Sequence, residues 1–168
     1  MEEIIRMQEN LLLIRRTVGW TAEEFGEKIG VTRQTINNIE SGRNKLTKTQ
    51  YIAMRSILDA EMAQSPGDTK MLKVLLDVLV DHPENYNDES RDELLIKANL
   101  MAPSILAGAT SRADVSKEWM RVAGLIVGGA AAFGPLGIGV GIATMNAWLM
   151  KAFVTGKKKP TTREKKDG

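Results

Sequence analysis

The chain has 168 residues, room for one compact domain or two small ones. Its 23 Lys+Arg and 21 Asp+Glu almost cancel, 43% of its residues are apolar, and it has no Cys and one His. That composition excludes a wholly disordered chain, a disulfide scaffold and a zinc-thiolate or thiol-nucleophile site. It leaves little material for a metal centre or for His-based catalysis. The charge is unevenly spread: residues 1–64 hold 9 basic and 9 acidic side chains, residues 65–116 hold 5 and 9, and residues 117–168 hold 9 and 3. The opening "MEEIIRMQEN" is acidic and lacks the basic start of a secretory signal. A reducing, cytoplasmic setting is expected.

Apolar residues recur at three and four rather than at two, which predicts an all-α chain. Ile4, Met7, Leu11, Ile14 and Val18 form one stripe of a first helix that stops at Gly19. Three helix starts follow, each marked by a Thr. Thr21 with Glu24 makes a capping box, stapled by Trp20 and Phe25; Thr32 is stapled by Val31 and Ile36; Thr47 with Gln50 makes a second box, stapled by Leu46 and Tyr51. Gly30 and Gly42 stand where helices end and a left-handed residue is needed.

"QSPGD" at 64–68 reads as a linker that closes a first domain, residues 1–64. In "TKMLKVLLDVLVDH", only Lys73, Asp77 and Asp81 interrupt the apolar run, at spacing four, so this helix carries a single polar stripe and must be buried on several sides. "PENYNDES" is a loop, followed by a helix through Leu94, Leu95, Ala98 and Met101 that Pro103 is expected to disturb. A further helix starts near Ser111 and runs through Val115, Trp119 and Val122. Residues 65–118 thus make a helical middle region. Residues 119–154 form a glycine-rich apolar hairpin cut at Gly134-Pro135, and residues 155–168 are a basic tail expected to be disordered.

The stretch "GWTAEEFGEKIGVTRQTINNIESGRNKLT" carries the functional signal. In the helix led by Thr32, Ile36 and Ile39 share one face, while Arg33, Gln34, Asn37 and Asn38 share the opposite one. An Arg can hold two acceptors of guanine, and Gln or Asn can pair with adenine in the major groove. From Lys28 to Lys48 there are five basic residues and one acid, Glu40. Lys28, Thr32, Arg43, Lys45 and Lys48 are the candidate phosphate contacts around the helix.

Residues 9–62 resemble the Cro/C1-type (Xre) helix-turn-helix family in the order of the short helix, the glycine turn, the Thr-led recognition helix and the closing "IESG". The resemblance implies base contacts from Arg33, Gln34 and Asn38, and an internal pair between Arg15 and Glu40. It also implies two departures. Ala22 stands where the family places a phosphate-binding Gln, and Gly26 replaces the usual mid-helix Ala, which should loosen the helix while still permitting close packing.

Other features carry less. His82 reads as a helix-end residue, Asp88, Glu89, Asp92 and Glu93 as a solvated helix start whose spacing matches no calcium loop, and "GPLGIGVG" lacks the Lys-Ser/Thr of a phosphate loop. No constellation supports catalysis or a cofactor. Two readings fit residues 119–154. In one they enter a membrane, with Trp119 and Trp148 at its surface and basic residues on both sides. Each arm has only about 15 residues against the roughly 20 of a span, so the hairpin would be shallow. In the other they form a soluble hairpin, where Gly124/Gly128 and Gly137/Gly141 let backbones approach.

The expected function is sequence-specific binding of double-stranded DNA by a transcriptional regulator, a repressor acting as a homodimer or higher oligomer on a palindromic operator. The alternative is a membrane-associated interaction protein, held at the inner face of the cell membrane through residues 119–154, whose helix-turn-helix domain docks a protein partner.

Overall fold

The structure, a computed structural model, describes residues 1–127, with side chains through Arg121. The part of the expected hairpin beyond residue 127 and the basic tail lie outside the described residues. Seven α-helices and no strand occur among those described: α1 (Glu2–Val18), α2 (Ala22–Ile29), α3 (Arg33–Glu40), α4 (Lys48–Gln64), α5 (Lys70–Leu76), α6 (Asp88–Gly108) and α7 (Arg112–Val127). A π-helical turn, Asp77–Asp81, continues α5, and a 3-10 turn, Pro83–Asn85, leads into α6.

The Thr-led starts form as their chemistry dictates. Thr21 Oγ1 accepts the Glu24 N–H at 3.1 Å while the Glu24 carboxylate accepts the Thr21 N–H at 2.7 Å. Trp20 and Phe25 stack beneath this box with ring centroids 5.7 Å apart. Thr32 accepts from Thr35, and Thr47 exchanges bonds with Gln50. Each cap satisfies amide donors that the first turn of a helix leaves unpaired. At the other ends, Gly19 closes α1 at φ 79° and Gly30 closes α2 at φ 75°, backbone that a Cβ disfavours.

Helix α1 is the strut of the molecule. It packs against α3 and α4 on one side and against α5, the π turn, α6 and α7 on the other. Its Met7, Leu11 and Ile14 are fully buried, in one apolar core that runs on through Leu58, Leu75, Leu94 and Trp119. The chain at 65–69 is a hydrogen-bonded turn, with Thr69 N and Oγ1 both donating to Ser65 O. The hydroxyl of Ser116 on α7 donates to Asp68 in that turn. Trp119 is 2% exposed in the core, a different place from the membrane surface where its flanking position put it.

Two local expectations give way to long-range packing. The apolar run 70–81 is buried as its composition requires, but its second half is a wider helix: the His82 N–H reaches back five residues to Asp77 O at 2.9 Å. Between residues 71 and 81, Lys73, Asp77 and Asp81 are the positions that are not buried, so the polar stripe persists through the widened turn. Asp77 accepts from the Tyr86 hydroxyl, and Asp81 accepts two bonds from Arg55. Pro103 does not end its helix. Helix α6 runs through it, because Pro103 and Asn99, whose carbonyl loses its usual donor, both lie on the exposed side where water can substitute.

Gly26 is buried where α2 meets the turn into α3, and a Cβ there would stand 2.6 Å from the Val31 carbonyl oxygen. That distance is shorter than any carbon–oxygen contact a side chain tolerates. Glycine at this position permits the close packing that was expected of it. It is what lets α2 and α3 come together.

Candidate nucleic-acid interface

Helix α3 is eight residues long, and the pattern of its side chains sorts it into two faces. Ile36 and Ile39 are buried in the core, which leaves the opposite face to solvent. On that face Arg33 and Gln34 are exposed, and Asn37 and Asn38 are half-buried one turn later. Gln34 Nε2 donates to Asn38 Oδ1 at 2.9 Å. The two amides are thereby joined, with the Gln34 oxygen and the Asn38 NH₂ left to offer one acceptor and one donor group outward. This is the pairing that an adenine edge complements.

The position of α3 is set by Arg15. Its Nε and Nη2 donate to the two Glu40 oxygens at 2.6 and 3.0 Å, and its Nη1 donates to the Trp20 carbonyl at 2.7 Å. The side chains are 11% and 7% exposed. A planar guanidinium holding a carboxylate with two parallel bonds fixes orientation as well as distance. One residue thus ties the last turn of α1 to the end of α3 and to the turn before α2.

The candidate phosphate contacts are spread around this helix. Arg43, Lys45 and Lys48 are exposed, the first two in the loop after α3 and the third at the start of α4. Thr32 is exposed, with its hydroxyl engaged in capping α3. Lys28 is exposed, and its ammonium lies over the Trp20 ring, 5.1 Å from the centroid. Arg112 of α7 also lies over this ring, at 5.3 Å, and pairs with Glu61. Ala22, at the position where a phosphate-binding Gln is usual, is buried and offers no contact.

Residues 11–63 match the protein-family model described as helix-turn-helix. This segment is a Cro/C1-type helix-turn-helix. It gives the chain, in general terms, the character of a DNA-binding regulator. No curated protein and no solved structure matches the chain. Within the helix-turn-helix, α2 is the first helix of the motif and α3 occupies the recognition-helix position. No helix among the described residues is long and apolar enough to cross a membrane.

One residue escaped the sequence reading. Gln8 of α1 reaches across to the far end of the helix-turn-helix. Its Nε2 donates to Ile39 O at 3.0 Å and to Asn44 O at 2.7 Å, and its Oε1 accepts from Leu46 N at 2.9 Å. The only available hint was a polar residue beside the buried stripe of α1, a pattern shared by many surface positions.

Proposed function

We propose that the chain is a cytoplasmic, sequence-specific transcriptional regulator, a repressor that binds a palindromic operator as a homodimer. The observation that carries this reading is the outward face of α3. Four hydrogen-bonding side chains, Arg33, Gln34, Asn37 and Asn38, share a surface whose opposite side, Ile36 and Ile39, is locked in the core. A face of this kind reads base edges by hydrogen bonding, with Arg33 suited to guanine and the Gln34–Asn38 pair suited to adenine. Lys28, Thr32, Arg43, Lys45 and Lys48 flank it and would set register on the backbone. Such dimers place their recognition helices about one DNA turn, ~34 Å, apart, which is why a two-fold operator is expected.

Selection of a preferred duplex from random DNA by the full chain tests this, followed by titration of Gln34→Ala. The variant should lose about 1–3 kcal/mol on the selected site while binding to random DNA barely changes. Equal losses on both would remove Gln34 from base recognition. Failure to enrich any sequence would overturn sequence-specific binding altogether.

A further inference from the structure

We infer that Gln8 is a positioning residue for DNA binding, which holds the loop after the recognition helix so that Arg43 and Lys45 face the phosphate backbone. The inference rests on the DNA-binding reading above and adds a residue that lies before the segment 11–63 matched to the helix-turn-helix family. The loop from Ser41 to Leu46 is short and almost wholly exposed; only Leu46 is buried. Left to itself, such a loop has many conformations, and fixing them costs backbone entropy. Three interactions oppose that freedom on the α3 side: Gly42 turns the chain at φ 74°, its N–H donates to Ile39 O at 3.1 Å, and the Asn44 N–H donates to Asn38 O at 3.0 Å. On the α1 side the loop is held by Gln8.

Both donors and the oxygen of the Gln8 amide are engaged. Both of its donor bonds go to carbonyls and its oxygen takes an N–H, so the surrounding groups admit one orientation of the amide. The two loop contacts fall on Asn44 O and Leu46 N, on either side of Lys45, and Arg43 precedes Asn44. Pinning the backbone at these points from the inside leaves both cationic side chains in solvent on the outside, as observed. The third contact, to Ile39 O, anchors the same side chain to the last turn of α3. Gln8 therefore sets the loop against the recognition helix itself, and the phosphate-facing cations keep a defined offset from the base-reading face.

The test is the salt dependence of binding to a mixed-sequence duplex by the full-length wild type, Gln8→Met, Lys45→Ala and the double variant. Methionine fills similar space and makes none of the three bonds. Lys45→Ala should lower the slope of log K against log salt by roughly 0.9, the loss of one phosphate contact, and Gln8→Met by at least as much. In the Gln8→Met background, Lys45→Ala should then change the slope little, because Lys45 has already lost its place. Exchange of the Leu46 amide with solvent should quicken by about tenfold in Gln8→Met, while amides of α3 keep their protection.

A wild-type slope in Gln8→Met, or a full further loss from Lys45→Ala in that background, overturns the positioning role and leaves the reading of α3 standing. Absence of salt-dependent binding by the wild type overturns the DNA-binding reading, and the positioning role falls with it.

Discussion

The helix-turn-helix and the helices after it are both fastened by an arginine that grips a carboxylate with two bonds. Arg15 holds Glu40 across 25 residues, and Arg55 holds Asp81 across 26. Their surroundings differ. The first pair is 11% and 7% exposed and sits behind the recognition helix; the second is 24% exposed on both sides and joins α4 to the π turn. Around the first pair, the chain is shaped by signals within four or five residues: Thr caps, left-handed glycines and staples. Around the second, shape comes from distant partners, such as Arg6 Nε donating to Val80 O and Arg112 reaching Glu61. The helix-turn-helix is assembled locally and then locked; the second half is held in place from outside itself.

The sharpest way to break this contrast is to remove each lock. Glu40→Ala strands a guanidinium in the interior, a cost of about 3 kcal/mol, to be read from urea denaturation. Asp81→Ala should cost no more than about half of that, since water reaches Arg55. Equal costs would mean that burial does not distinguish the two pairs. Next in size is Gly26→Ala, which forces a methyl against the Val31 carbonyl and should cost about 2 kcal/mol as overpacking, with the loss of protection concentrated in α2 and α3. A neutral Gly26→Ala would show that the turn can move aside.

Smaller is the cap. Thr21→Ala should cost about 1 kcal/mol and fray the start of α2. The same box gives a pH dependence of known sign. The Thr21 N–H donated to the Glu24 carboxylate holds its pKa below the ordinary carboxylate value. A lowered folded-state pKa means that the contribution is full above the unfolded value and is lost as pH falls through the lowered one. Glu24→Gln should flatten stability against pH across that acidic window. An unchanged profile would remove Glu24 from the cap's electrostatics.

The same contrast explains what the sequence disclosed. All three Thr caps and the glycine stops were legible, because each joins residues close enough that their types alone imply the contact. The two-faced recognition helix was legible for the same reason, through the period of Ile36 and Ile39. The π turn was not. An α-helix and a wider helix share an apolar pattern over five residues, and the groups that engage this turn, Arg55, Tyr86 and α1, come from elsewhere in the chain. Pro103 misled because its helix-breaking tendency depends on whether the orphaned carbonyl meets water. Gly26 was noticed, but the Val31 oxygen that requires it appears only when α2 and α3 are folded together. Gln8 finds its partners 31 to 38 residues away, and nothing local distinguishes it.

The central place of α1 has a consequence for synthesis. It is made before every helix that packs on it, and its coverage is among the last contacts to be completed. α3 and α4 cover one side once residue 64 has emerged, while the other side waits for α5, the π turn, α6 and finally Val115 and Trp119 of α7. At roughly 5–20 residues per second, the nascent chain carries a half-covered apolar strut for several seconds. The helix that anchors Glu40 through Arg15 is, for that interval, also an uncovered apolar surface.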